Sequence, residues 1–244
     1  METVQLKNKN NSILKNLRGA GENILELFFP HICLACEEHR AIKNHLFCVR
    51  CAYEIKPTEH WQLPNNEFTQ KFIGRIPLVY GASLYKFYPG GLFQKVIHKL
   101  KYQSRPEIGV HLGRIAGKQI TAHWSKPDLI IPVPIHPKKM WKRGYNQAER
   151  IASGMAEILD IPILDNILVK KSMTQSQTGF HRMERMKNVE NAYDVNHIQK
   201  IRSRHILLVD DVLTTGATLE ACAIPLLQVA DIKLSMVTLA MGQV

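Results

Sequence analysis

Apolar residues recur along this chain at two spacings, and the alternation between them predicts the elements. The runs IPLVYGASLY (76–85), LIIPVPI (129–135), 166–169, HILLVD (205–210) and IKLSMVTLA (232–240) are short and rich in β-branched residues, which predicts strands. Between them the spacing changes to three and four. A Pro-Gly-Gly turn at 89–91 precedes Leu92, Val96, Ile97 and Leu100, then Ile108, Leu112, Ile115 and Ala116, which predict helices with Lys95, Lys99, Lys101 and Arg105 outside. Ala148, Ile151, Ala152, Met155, Ile158 and Leu159 predict a helix beginning near Asn146. Another should follow Ala217, with a kink or an early end at Pro225, whose ring nitrogen cannot donate to the Ala221 carbonyl. Near the N-terminus, SILKNLRGAGENILELFF (12–29) has helical spacing broken by Gly19 and Gly21.

Strands separated by helical runs imply an α/β domain with a mostly parallel sheet. Ligands in such sheets gather at the carboxyl ends of strands, so the chemistry is expected just after Val133 and just after Val209. The α/β pattern covers 71–244. Residues 57–70, PTEHWQLPNNEFTQ, contain two prolines and little periodicity and predict a linker, which leaves 1–56 as a separate N-terminal module.

That module carries Cys33-Leu-Ala-Cys36 and Cys48-Val-Arg-Cys51. Two intervening residues let a pair of thiolates turn toward one tetrahedral ion at about 2.3 Å, and a second pair closes the shell, as in structural zinc sites. A redox pair is disfavoured because one pair would suffice and no βαβ pattern surrounds either. His31, His39 and His45 lie close by, but four thiolates already fill the coordination. So short a region buries little core, and the Zn2+ should contribute most of its folding energy. The fifth cysteine, Cys222, sits at helical spacing and reads as packing.

Composition and charge narrow the class. The 244 residues are 45% hydrophobic and 22% charged, as in ordinary globular proteins. No apolar run approaches the roughly 18 residues of a membrane span, and the polar start, METVQLKNKNNSILKN, has no cleavable apolar leader. The expectation is a cytoplasmic protein without membrane insertion. The net charge of +11 is concentrated: segments 94–118, 136–150 and 170–190 carry +5, +4 and +3, and the remainder is about neutral. Such segments either form solvated faces or build a local field that attracts phosphates or nucleic acid.

The sequence ILLVDDVLTTGATLEAC (206–222) runs a hydrophobic strand into Asp210-Asp211 and then into a small-residue loop, Thr214-Thr215-Gly216-Ala217-Thr218, that opens a helix. Such a loop aims backbone N–H groups, hydroxyls and a helix dipole at a phosphate. The adjoining carboxylates would repel that phosphate, and make sense if they serve hydroxyls or a divalent cation on another part of the same ligand. A phosphate a few ångströms from a diol describes a ribose 5-phosphate. The loop matches neither Walker A nor G-x-G-x-x-G.

Residues 206–218 resemble the phosphoribosyl pyrophosphate (PRPP) motif of type I phosphoribosyltransferases. Together with the four-cysteine module, PVPIHPKKMWKRGYNQAERIA and KKSMTQSQTGFHRMERMKNVENAY, the chain resembles the ComF/GntX family of competence-associated proteins over about 30–240. The resemblance implies a zinc ribbon joined to a type I phosphoribosyltransferase-like domain, with a role in handling single-stranded DNA during natural transformation and contact with the DNA-uptake machinery. It places Asp210 and Asp211 on the ribose hydroxyls, 214–218 on the 5′-phosphate, and Pro134-Ile135-His136-Pro137 at the pyrophosphate loop. Lys138, Lys139 and Arg143 beside that loop suit the charge of PRPP and its Mg2+. Asn146 reads equally as part of this site or as a helix cap. Segment 170–190 resembles the loop that closes over PRPP, with Arg182 and Arg185 as its phosphate contacts.

No base-binding motif is recognisable; 72–115 is the region available for one, although Tyr80, Tyr85, Phe87 and Tyr88 read equally as core. Two functions follow: a PRPP-binding protein that handles single-stranded DNA, or an active phosphoribosyltransferase on an unidentified acceptor. For DNA, aromatic residues among basic ones provide stacking platforms. Trp141 and Tyr145 lie among Lys138, Lys139, Lys142 and Arg143, and Tyr102 lies beside Lys101 and Arg105. The alternative for Trp141 is a place in the core.

Overall fold

The computed structural model describes residues 31–43, 45–170 and 192–242, in two compact units, Met1–Glu54 and Ile55–Val244. The expected N-terminal helix at 12–29 lies outside the described residues.

In the first unit, an antiparallel bridge between Ile32 and Arg40 and the bonds Cys33 N–H to His39 O (2.8 Å) and Leu34 N–H to Leu46 O (2.9 Å) fold the chain back on itself. Helix α1 (Val49–Glu54) follows, and Leu34, Phe47, Cys33, Cys48 and Cys51 are buried.

The second unit is built on four strands, β1 (Tyr80–Phe87), β2 (Leu129–Pro132), β5 (His205–Leu213) and β6 (Lys233–Gly242), all parallel in the order β1-β6-β5-β2. A separate antiparallel ribbon pairs β3 (Leu168–Lys170) with β4 (Tyr193–Val195). Buried on both faces, the central strands read as near-continuous apolar runs. Leu129 and Ile131, Ile206 and Leu208, and Leu234 and Met236 share one core with α7 (Ala217–Leu227), Phe68 and Phe72. The alternate residues face the layer of α3 (Leu92–Tyr102), α4 (Pro106–His123) and α6 (Gln147–Leu159).

Helices α4 and α6 approach so closely that small residues are obligatory. A Cβ on Gly154 would sit 1.9 Å from the Val110 carbonyl oxygen, and one on Gly113 would sit 2.1 Å from that of Ile151.

Several elements differ from the sequence reading for identifiable reasons. β1 starts at Tyr80 rather than 76, since Pro77 has no N–H for a ladder and Ile76 N–H bonds back to Phe72 O (3.0 Å). β2 stops at Pro132, one further bond being made by Val133 N–H to Val209 O (2.9 Å) before Pro134 interrupts. β5 continues to Leu213, because β6 pairs with it out to Met241. Pro225 does not stop α7, which runs on to Leu227 with Leu226 buried. Residues 57–70, read as a linker, pack on β1: Thr58 N–H bonds Leu84 O (2.9 Å), Asn66 caps α2 (Glu67–Gln70) while its amide donates to Gly81 O (2.9 Å), and Trp61 and Phe68 are buried. The basic run after Val133 forms a helix the sequence did not announce, α5 (Pro137–Arg143), whose first turn is capped by His136 Nδ1 accepting from Lys138 N–H (3.1 Å).

Candidate ligand-binding site and cysteine cluster

Pairing with β6 continues β5 past the acidic residues to Leu213, so that Asp210 stands opposite Thr238. Asp210 Oδ1 accepts from Asp211 N–H (2.8 Å). Burial, and then the charge of Asp211, push the Asp210 carboxyl up to about 7, against the pull of that hydrogen bond and of Lys101 and Lys139. Asp211 is held differently: its Oδ2 receives the Lys101 ammonium at 3.1 Å, with the two side chains 23% and 13% exposed.

Beyond β5 the chain turns through Thr214, Thr215 and Gly216 into α7. Gly216 adopts φ of +87°, a left-handed conformation that glycine takes without strain, and this turn directs the first amides of α7 inward. Thr215 Oγ1 accepts from Ala217 N–H at 3.4 Å. A hollow of about 30 Å³ lies within this loop, lined by Asp210 and 212–219. An anion placed there would meet backbone amides of the loop and the hydroxyls of Thr214, Thr215 and Thr218.

The loop opens onto a cavity of about 370 Å³ above the carboxyl ends of the strands. Its cationic wall is made of Lys101 from α3, Lys139 and Arg143 one turn apart on α5, and Lys170 at the end of β3, facing Asp210 and Asp211. Phe87 and Ile97 form an apolar wall, and Val133–His136 the floor beneath α5. Arg143 is fixed by a bond to Gln147 Oε1 (2.8 Å) and by stacking on Tyr102, 5.1 Å from the ring centroid. Asn146 both caps α6, accepting from Ala148 N–H (3.0 Å), and lines the cavity, its amide donating to Val133 O (3.0 Å).

The structure thus brings together Asp210, Asp211, Thr214, Thr218, Lys139 and Arg143 around one cavity, with Thr215, Gly216 and Ala217 in the adjoining loop. Lys138 is exposed on the other side of α5, and Arg182 and Arg185 lie outside the described residues. Of the residues assigned to a nucleic-acid track, Trp141 is 91% exposed, and Lys138 and Lys142 are exposed beside it. Tyr145 does not belong with them: it is buried, and its hydroxyl donates to the Leu100 carbonyl. Lys101 points into the cavity instead, and Arg105 pairs with Glu107. Tyr193 was not anticipated as lining, whereas Phe87 and Ile97 fall in the region 72–115 left open for a base-binding wall, Phe87 being read equally as core. The Lys170 ammonium sits 5.7 Å over the ring of Tyr193, its cross-strand partner. Lys170 carried a signal in its place at the start of the basic segment 170–190, and Tyr193 carried none.

Residues 100–240, which contain this acid pair and the loop after it, match a phosphoribosyl transferase domain model. The chain belongs to the phosphoribosyl transferase domain family. It is also homologous to competence protein F of Haemophilus influenzae, 35% identical over 51% of this chain and 57% of that protein, so the match spans little more than half of that relative. DNA utilization protein YhgH of Salmonella typhimurium is 25% identical over 81% of this chain and 91% of its own length. Among solved structures, the glutamine PRPP amidotransferase of B. subtilis aligns with 57% of this chain and 30% of its own at 16% identity and a TM-score of 0.40.

In the N-terminal unit, the sulfur atoms of Cys33, Cys36, Cys48 and Cys51 all lie within 4.8 Å of one another, with Cys36 and Cys48 at 3.9 Å. Tetrahedral zinc thiolates stand about 3.8 Å apart, so the donor set fits a zinc ribbon. Hydrogen bonds from the Glu38 backbone and from His39 hold the Cys36 thiol down to about 5, whereas burial pushes Cys51 up. Among the described residues, no helix is long and apolar enough to cross a membrane.

Proposed function

We propose that this protein binds PRPP, or another ligand built on ribose 5-phosphate, in the 370 Å³ cavity and handles single-stranded DNA along the exposed face of α5. The observation that carries the ligand reading is one cavity containing the acid pair, the phosphate loop and four cations. In this reading the amides and hydroxyls of 214–218 hold the 5′-phosphate, Asp210 and Asp211 accept from the ribose hydroxyls, and Lys139 and Arg143 neutralise the pyrophosphate. Mg2+, when bound with the pyrophosphate, supplies further charge neutralisation. Arg182 and Arg185 are proposed on the family resemblance alone. Zn2+ belongs to the four cysteines and has a structural role.

The DNA reading is supported by Trp141, bare among Lys138 and Lys142, and by relatives that are named for competence and DNA utilization. Phosphoribosyl transfer to an unidentified acceptor is the second reading. It is favoured by the apolar wall of Phe87 and Ile97, which suits a planar ring.

Calorimetry with PRPP and Mg2+, and separately with a single-stranded oligonucleotide, tests both readings in the whole protein. Asp210→Ala with Asp211→Ala should weaken PRPP binding at least tenfold, about 1.4 kcal/mol, and leave oligonucleotide binding unchanged or tighter. Unaltered PRPP affinity in that variant would return the loop to a structural role.

A further inference from the structure

We propose that Arg75 is a positioning residue for the loop 214–218: by pairing with Glu220 it turns that carboxylate away from a phosphate in the loop and fixes the first turn of α7. This rests on the ribose 5-phosphate reading above and adds to it a segment, residues 66–76, that lies outside the 100–240 match.

The segment is a fixed point in the fold. A Cβ on Gly81 of β1 would sit 2.5 Å from the Phe68 ring, so α2 is pressed onto that strand, and the Asn66 amide ties its start to the Gly81 carbonyl. Phe72 is fully buried; its N–H bonds Thr69 O (2.9 Å) and its carbonyl accepts from Arg75 N–H (3.0 Å). Two contacts reach from here to the loop. The Phe72 ring lies 3.1 Å from where a Cβ on Gly216 would stand, against the residue whose left-handed φ turns the chain into α7. Arg75 Nη1 donates to Glu220 Oε2, and Glu220 N–H bonds Gly216 O (2.9 Å), so both contacts converge on Gly216.

The charge of Glu220 gives this clasp its chemical consequence. Glu220 belongs to the first turn of α7, where a carboxylate draws on the same positive helix end that an anion in the loop would use. Left without a partner it would compete with the phosphate and repel it. Its side chain is instead 19% exposed, lines neither the 30 Å³ hollow nor the larger cavity, and meets the guanidinium. Arg75 is held for this pairing: its Nη2 donates to the Lys71 carbonyl, and the guanidinium lies 6.0 Å from the Phe72 ring centroid. An ion pair whose arginine is 46% exposed adds little to folding stability, so its effect is expected on the ligand.

The test is calorimetric titration with ribose 5-phosphate of wild-type protein, Arg75→Gln, Glu220→Gln and the double variant, each checked by circular dichroism. Arg75→Gln should bind about five- to tenfold more weakly, because the released carboxylate acts on the phosphate; Glu220→Gln should bind as wild type or more tightly, and the double variant should regain most of the lost affinity. That rescue separates the two roles, since a clasp that only supports the loop would leave the double variant as weak as Arg75→Gln. Wild-type affinity in Arg75→Gln, or a double variant without rescue, overturns the proposal. Should Arg75→Gln prove unfolded, Glu220→Gln still decides: weaker binding overturns the proposal, and equal or tighter binding supports it. Absence of ribose 5-phosphate binding by the wild type overturns the ligand reading itself.

Discussion

Asp210 and Asp211 are neighbours in one strand, yet they sit in opposite electrostatic situations. Asp211 has a lysine at contact distance, whereas Asp210 is desolvated and stands next to a carboxylate. With a native value of about 7 against an ordinary 3.8, the folded state holds a proton at Asp210 that the unfolded state releases. Its contribution to stability is therefore complete below about pH 3.8 and is lost as pH rises toward 7, by about 1.4 kcal/mol per unit. Thermal melting in EDTA from pH 4 to 7 should show wild type declining relative to Asp210→Asn; parallel curves would mean the carboxyl is ionised throughout. Trp141 makes the other residue-scale case. At 91% exposure its truncation to alanine should change stability by less than about 0.5 kcal/mol. Oligonucleotide affinity, measured by fluorescence anisotropy, should fall by about 1–3 kcal/mol if a base stacks there. An unchanged affinity would move the DNA surface away from α5.

At the scale of elements, α5 and α6 are adjacent in sequence but held by different forces. α6 has a buried stripe and a side-chain cap, both readable from spacing and from Asn146. α5 has no buried residue, so no apolar period announced it; its proline start and the His136 cap form it locally, and Lys139 and Arg143 then face the cavity while Trp141 faces solvent. The contact of α4 with α6 depends on glycine rather than on large side chains. Gly154→Ala places a methyl group where the Val110 carbonyl oxygen stands, and should cost more than about 2 kcal/mol in chemical denaturation. A loss below about 0.5 kcal/mol would mean the two helices separate freely.

For the whole molecule, the two units rest on different sources of stability. The larger has a continuous apolar core on both sides of its sheet. Among its described residues the smaller buries few large side chains, and its four thiols lie within 4.8 Å of one another. We expect one zinc per chain by metal analysis of protein purified under reducing conditions. Chelation or Cys48→Ser should expose residues 31–54 to proteolysis while the sheet-bearing segments 55–170 and 192–242 stay resistant. Absence of zinc, or equal resistance of both units after chelation, would contradict this.

What the sequence determined by itself was whatever depends on neighbours a few residues apart: the paired cysteines, the acid pair leading to 214–218, the cap at Asn146, and the alternation that implies a parallel sheet. These are short-range patterns, and short-range sterics and hydrogen bonding are enough to specify them. The tertiary structure decided which distant residues share a cavity. Lys101, Lys170, Tyr193 and Phe87 come from four different elements and meet Asp210 and Asp211 only because the strand order β1-β6-β5-β2 and the β3–β4 ribbon bring those ends together. It also removed Tyr145 from the expected DNA track and gave Lys101 to Asp211. A lysine or tyrosine has the same local signature whether it faces water, a phosphate or a carboxylate. The difference lies in the field and packing of groups tens or more residues away, which no spacing along the chain encodes.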